Sequence, residues 1–208
     1  RRPNIDWLHT AQDQGGLIRN FVKYDDQPGS SAAIPESMLR AWQQTGTSPR
    51  GPVYVCLDAA LQEEKLEAPI DLPDPKRFRP APAVRPSAEA VRAAAEALKK
   101  AQRPVMLLGR LRRTEEDWNR RVALAEKIGA SMMSDLRAGC MVPSDHPLHL
   151  GQPFNNLSKP ARDALKNADV ILSLDWIDLG GALHLAFDGK PPTATVIQDR
   201  KSTRLNSS

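Results

Sequence analysis

Six prolines between Glu67 and Pro86, at positions 69, 73, 75, 80, 82 and 86, constrain the fold of this chain more than any other feature. Proline lacks a backbone donor and its ring clashes with the preceding helical turn, so this density excludes a regular helix or a central strand. The segment is expected to be extended and semi-rigid. It divides the 208 residues into regions that must each build their own core. The division expected is 1–64, a connector over 65–86, a second region over 87–198, and a tail over 199–208.

Both regions alternate helix and strand patterns. In the first, "QGGLIRNFVKY" places Leu17, Ile18, Phe21 and Val22 at helical spacing. "SSAAIPESMLRAWQQTG" predicts a second helix, with Ser31 as its cap, Pro35 near its start, Met38, Leu39 and Trp42 on its apolar face, and Gly46 as its stop. "GPVYVCLD" predicts a fully buried strand containing a buried thiol, Cys56. In the second region, Ser87 caps a helix whose Val91, Ala94, Ala95 and Leu98 share a face. "RPVMLLG" predicts a buried strand. "TEEDWNRRVALAEKIG" predicts a helix opened by Thr114 and Asp117 and closed by Gly129, with Trp118, Val122, Ala125 and Ile128 inward. "ASMMSD", "DVILSLD" and "TATVIQ" predict further strands, and "SKPARDALKNA" a short helix. Near-continuous apolar strands alternating with helices imply an α/β fold with a parallel sheet covered on both faces.

The formal net charge is +4, and the tail supplies half of it through Arg200, Lys201 and Arg204 against Asp199. The remainder is nearly neutral and its aromatics are scattered, so a nucleic-acid partner is not expected. No apolar run reaches the roughly 20 residues of a membrane helix, so no membrane association is expected either. The opening "RRPNIDWLHT" has no apolar core of a signal peptide and no starting Met, which places the start of the chain mid-protein or after processing. Two distant cysteines, Cys56 and Cys140, fit a reducing compartment, and the expected location is the cytoplasm.

Few constellations point to chemistry. "LLGRLRRTEED" joins a strand to a helix, the place where α/β sheets bind phosphates. Gly109 is its one glycine, so the dinucleotide fingerprint fails, although Arg110, Arg112 and Arg113 could hold an anion. A solvated basic loop is the favoured reading. His146 and His149 in "PSDHPLHLG" have no carboxylate or Cys cluster to complete a metal site, and Pro143 and Pro147 exclude a regular helix there. His9 and His184 are isolated and expected to be structural. Asp25 and Asp26 lie in a turn-like "YDDQPG" and are expected to be solvated. There is no G-x-S-x-G.

Three stretches in order resemble thiamine-diphosphate-dependent enzymes of the acetolactate synthase type. "GGLIRNFVKY…PESMLRAWQQTGTSPRGPVYVCLD" is similar to the end of that family's pyrimidine-binding domain, with its R-x-x-V-K pattern and "GPV" strand. The proline-rich connector follows in the expected place. "RPVMLLG…ALAEKIGASMMSDLRAG…PSDHPLHLG…ADVILSLD" is similar to the central domain. The resemblance implies a Rossmann-like, parallel-sheet central domain preceded by part of a second α/β domain. For the parent protein it implies thiamine diphosphate and Mg2+, with the cofactor as nucleophile and electron sink, and a 2-oxo acid substrate. Decarboxylase, carboligase and acetolactate synthase chemistry are not separated by it. It also implies a homo-oligomer, a dimer or tetramer, with active sites between subunits.

By the same resemblance, the catalytic glutamate lies upstream of this chain and the G-D-G…N-N metal motif downstream of it. "FNN" at 154–156 has no G-D-G before it, so neither a catalytic nor a metal residue is expected here. Some members hold FAD or ADP in the central domain. Carried over, Arg19, Gly109, Arg110, Ser134, Asp135 and Leu136 would face such a nucleotide. Asp175, Trp176 and Ile177 stand where FAD-binding members carry G-A-R, which disfavours FAD, since a carboxylate there repels a diphosphate. Two alternatives to an enzyme fragment remain: a nucleotide- or CoA-binding module without chemistry, and a structural spacer. In the family, the strand matching "TATVIQ" leads on into more protein. Here "DRKSTRLNSS" follows, and read as codons it reproduces a sequencing-library adapter, so the tail is expected to be an artefact outside the fold.

Overall fold

The computed structural model describes residues 11–82, 85–151 and 157–199. Two compact units divide between residues 84 and 85, and both are α/β.

The first unit holds helix α1 (Gln14–Ile18), strand β1 (Tyr24–Asp26), a 3-10 turn (Ser31–Ala33), α2 (Ile34–Gly46), β2 (Val53–Val55), α3 (Ala59–Glu63) and a second 3-10 turn (Pro75–Phe78). β1 and β2 pair in parallel, with Asp25 opposite Tyr54. Lys23 enters β1 from a position where its Nζ donates to the carbonyls of Gln44 (2.8 Å) and Thr47 (2.6 Å). A cation there satisfies orphan carbonyls at the end of α2 and complements its dipole.

Several expectations for this unit are corrected. The first helix stops at Ile18, and Leu17 and Phe21 are exposed at 74% and 80%. The "YDD" stretch is a strand, since its backbone pairs with β2. Asp26 is not left to solvent: it accepts from the Ser37 hydroxyl at 2.7 Å. α2 buries Ser37 and Ala41, while Met38 and Trp42 are half exposed. Its cap is the preceding 3-10 turn rather than a Ser31 side chain, and Pro35 occupies the first turn. Gly46 is the last helical residue rather than a left-handed stop. Its lack of a side chain makes room for the Pro80 ring. β2 is half-buried along its length and Cys56 is half-buried, because among the described residues only one strand pairs with it. The proline-rich segment is not a free extended connector throughout. Pro75–Phe78 forms a turn capped by Asp74, and Gln43 Nε2 reaches the Arg79 carbonyl at 3.2 Å.

The second unit holds α4 (Ala88–Lys100), β3 (Pro104–Leu108), α5 (Glu115–Ile128), β4 (Ser131–Ser134), α6 (Lys159–Asn167), β5 (Val170–Leu174), α7 (Leu179–Ala186) and β6 (Thr195–Asp199). The four strands are all parallel in the order β4-β3-β5-β6. β3 is buried at every residue, as its unbroken apolar run requires. One face carries Leu157, Leu165, Trp176 and Ala186, and the other carries Leu98, Ala125, Met132 and Met141. Ser87, Thr114 and Ser158 each accept from a first-turn amide of the helix they precede. Gly129, at φ 63°, closes α5 in the left-handed conformation expected of it.

α4 departs from its expected face: Leu98 alone is buried and Val91 is half exposed. α5 buries Arg121 beside Ala125, and the guanidinium donates to the carbonyls of Met141 (2.8 Å) and Arg112 (3.0 Å). β6 runs through Asp199, pairing it with Leu174, so the fold continues one residue into the expected tail. Residues 200–208 lie outside the described residues, as do His9 and the "FNN" stretch.

Candidate functional site

The strand order reverses between β3 and β5: β3 is followed by β4 on one side, and β5 by β6 on the other. In open parallel sheets, ligands bind outside the carboxyl ends of the strands at such a switch point. Five of the expected nucleotide-facing residues lie at this edge: Gly109 and Arg110 follow β3, Ser134 ends β4, and Asp135 and Leu136 follow it. Arg19 belongs to the first unit. There its guanidinium is engaged by Asp25 (2.7 Å) and Asp13 (3.2 Å). The Arg19 hydrogen bond holds the Asp25 carboxyl below its ordinary value, and those carboxylates raise the Arg19 pKa in turn.

At the edge the loops are joined by backbone. The Gly109 amide donates to the Leu174 carbonyl (2.9 Å), and the Arg110 amide to the Asp175 carbonyl (3.1 Å). A Cβ on Gly109 would collide with the Asp175 carbonyl and the Trp176 backbone. Gly109 is therefore required by close approach of two chain segments, and Asp175 on the facing segment sits at φ 48°, unusual for a residue with a side chain.

Two carboxylates are buried here, Asp135 (2% exposed) and Asp175 (3% exposed). Burial of a charge is tolerated only when it is paired and hydrogen-bonded. Asp135 Oδ1 accepts from the Arg137 amide (2.9 Å) and Nε (3.3 Å), and its Oδ2 accepts from the Ile177 amide (3.2 Å). Asp175 Oδ1 faces Arg110 Nη2 at 3.3 Å. Leu136 is half exposed, and Arg112 and Arg113 are exposed on the loop before α5.

Ser134 Oγ lies 3.1 Å from His149 Nε2, and His149 Nδ1 lies 3.3 Å from the Ser144 carbonyl. A carbonyl only accepts, so Nδ1 carries the proton in the neutral ring and Nε2 accepts from the Ser134 hydroxyl. This contact was not legible in the sequence. It arises because residues 148–150 run beside β4, with Met132 bonded to Leu148 and Leu150. His146 turns instead toward Glu126 Oε1, at 3.3 Å, so the two histidines do not share a ligand.

The described residues contain no group of three or more His, Cys, Asp or Glu able to hold a metal ion. None of their helices is long and apolar enough to cross a membrane.

Residues 91–198 match the protein family described as "Thiamine pyrophosphate enzyme, central domain". A "Probable acetolactate synthase large subunit" of Methanocaldococcus jannaschii is 26% identical over 171 residues, 78% of this chain and 28% of that protein. The structure of benzoylformate decarboxylase from Polynucleobacter necessarius matches with a TM-score of 0.71 at 20% identity, covering 97% of this chain and 37% of its own. That likeness concerns the fold. The structure of the thiamine diphosphate-dependent 4-hydroxybenzoylformate decarboxylase of Rhodococcus jostii RHA1 matches with a TM-score of 0.62 at 25% identity, covering 78% of this chain and 30% of its own. This chain thus spans less than a third of the curated relative.

Proposed function

The chain belongs to the thiamine pyrophosphate enzymes through its central domain, and on that premise we propose that it is a segment of an enzyme that makes or breaks a C–C bond beside a carbonyl. The observation that carries this is the match over residues 91–198, which takes in all four strands of the parallel sheet except Asp199, the last residue of β6. The similarity to an acetolactate synthase subunit and to a 4-hydroxybenzoylformate decarboxylase supports a 2-oxo acid as the substrate class. Thiamine diphosphate and Mg2+ would serve the parent enzyme, held by residues other than those described. Residues 1–64 would close the pyrimidine-binding domain, 65–86 would connect it, and 87–198 would be the central domain. The parent would be a cytoplasmic homo-oligomer, a dimer or tetramer.

This segment by itself is expected to be inactive. The test compares the 208-residue chain with the full-length parent recovered from the source locus, each supplied with thiamine diphosphate, Mg2+ and a panel of 2-oxo acids. Turnover by the parent alone supports the proposal. Decarboxylation by the segment would refute its inactivity, and a parent inert toward every 2-oxo acid would refute the substrate class.

A further inference from the structure

The switch point between β3 and β5 should be the most receptive place on this sheet for a phosphate, yet the chain has closed it with its own groups. A diphosphate is held by free backbone amides, by cations and by close approach at glycine. The resources nearest the strand ends are committed here, while Arg112 and Arg113 stay exposed further along the loop. The amides of Gly109 and Arg110 bond to the carbonyls of Leu174 and Asp175, and the Asp135 amide bonds to Leu108. The amides of Arg137 and Ile177, which come from two different loops, both donate to the Asp135 carboxylate. Two cations are engaged as well: Arg137 Nε faces Asp135 and Arg110 faces Asp175. Gly109 lies against the Asp175 carbonyl and leaves no space beside it. α5, the helix after β3, has its cap filled by Thr114 and opens with Glu115, Glu116 and Asp117, which oppose an incoming anion.

We propose that Asp135 is a resident anion: its buried carboxylate occupies the paired amides of Arg137 and Ile177 that would otherwise receive a phosphate, and so closes the central domain to dinucleotides. A carboxylate satisfies amide donors much as one face of a phosphate does, and it is covalently present at every moment. An external diphosphate must displace it and also meet two buried negative charges. The site is therefore a latent anion site rather than an absent one. Removal of the Asp135 charge should uncover it, because the two amides and the Arg137 guanidinium then lack an acceptor.

The test titrates the 208-residue chain and two variants, Asp135→Ala and Asp135→Asn, with inorganic pyrophosphate, ADP and FAD by equilibrium dialysis, after circular dichroism melts of each. Wild type is expected to show no saturable binding of any probe. Asp135→Ala is expected to bind pyrophosphate saturably, about tenfold or more tightly than the detection limit that bounds wild type, the loss of competing charge-assisted hydrogen bonds setting that scale. Asp135→Asn keeps one acceptor oxygen and should gain less. Saturable binding of ADP or FAD by wild type overturns the proposal. So does a cooperatively melting Asp135→Ala that binds pyrophosphate no better than wild type. If Asp135→Ala does not fold, the same criterion applies to Asp135→Asn. If neither folds, saturable binding by wild type still overturns the proposal. None of these outcomes depends on the reaction of the parent enzyme.

Discussion

Gly109 and Asp169 show how one residue can serve the sheet at opposite ends of the same strands. At the carboxyl end, Gly109 lets the loops after β3 and β5 touch, with the Asp175 carbonyl where a Cβ would stand. The obstacle is backbone, which cannot swing aside as a flexible side chain can. Gly109→Ala is expected to cost about 3 kcal/mol, the upper part of the overpacking range, read as a lower urea midpoint. At the amino end, Asp169 accepts from the amides of Gln102 (2.6 Å) and Arg103 (3.0 Å) and so ties the entry of β3 to that of β5. Burial pushes the Asp169 carboxyl up, but these amide donors outweigh it and hold the carboxyl below its ordinary value. A folded-state pKa below the unfolded one means that this contribution is full above about pH 4 and is lost as pH falls through the lower folded value. Urea unfolding of wild type and Asp169→Ala should differ by about 1–3 kcal/mol at pH 7 and converge in acid. A difference that is constant with pH would refute the ionic origin.

At the scale of elements, the helices of the second unit are bounded by local chemistry. Thr114 Oγ1 accepts from the Asp117 amide at 3.2 Å and also lies 2.9 Å from Asp117 Oδ2, so cap and first turn hold one another. Thr114→Ala is expected to cost about 1 kcal/mol by urea unfolding, while Thr114→Ser costs little. Equal losses in both variants would point to lost methyl packing instead. The first unit lacks such side-chain caps on α2, its longest helix, and uses Lys23 from a neighbouring segment to finish the opposite end. That device joins residues 21 and 24 positions apart, so a local pattern does not reveal it.

Across the whole second unit, one face of the sheet is incompletely covered. A groove of about 490 Å³ runs between α4, α5 and the strands, lined by Val91, Leu98, Leu124, Ile128, Leu172 and Ile197. Exposed apolar surface of this kind promotes association. The 208-residue chain is expected to enhance the fluorescence of 1-anilinonaphthalene-8-sulfonate under native conditions and to self-associate at micromolar concentration. Val91→Lys, placed at the half-exposed rim, should reduce both. A monodisperse monomer that melts cooperatively and does not bind the dye would refute this expectation.

The sequence by itself determined what is local and periodic. Apolar runs placed β3, β4 and β5 to within a residue or two, Ser87, Thr114 and Ser158 marked three helix starts, and Gly129 marked a helix end. Ordered short motifs carried the family, because their spacing survives where identity is only 26%. The helix α7 was missed because "LGGALHLA" holds two glycines, each weakening helical propensity, so it reads as loop. The candidate site was legible only as a list: Gly109, Arg110, Ser134, Asp135 and Leu136 could be named, but not what they do. Tertiary structure decided that Arg19 is spent on Asp13 and Asp25, that His149 meets Ser134, and that Asp135 satisfies amides from two loops. Local pattern reports backbone preference over a few residues, whereas a buried carboxylate finds its donors 2 and 42 positions away, and only the closed sheet brings those distances together.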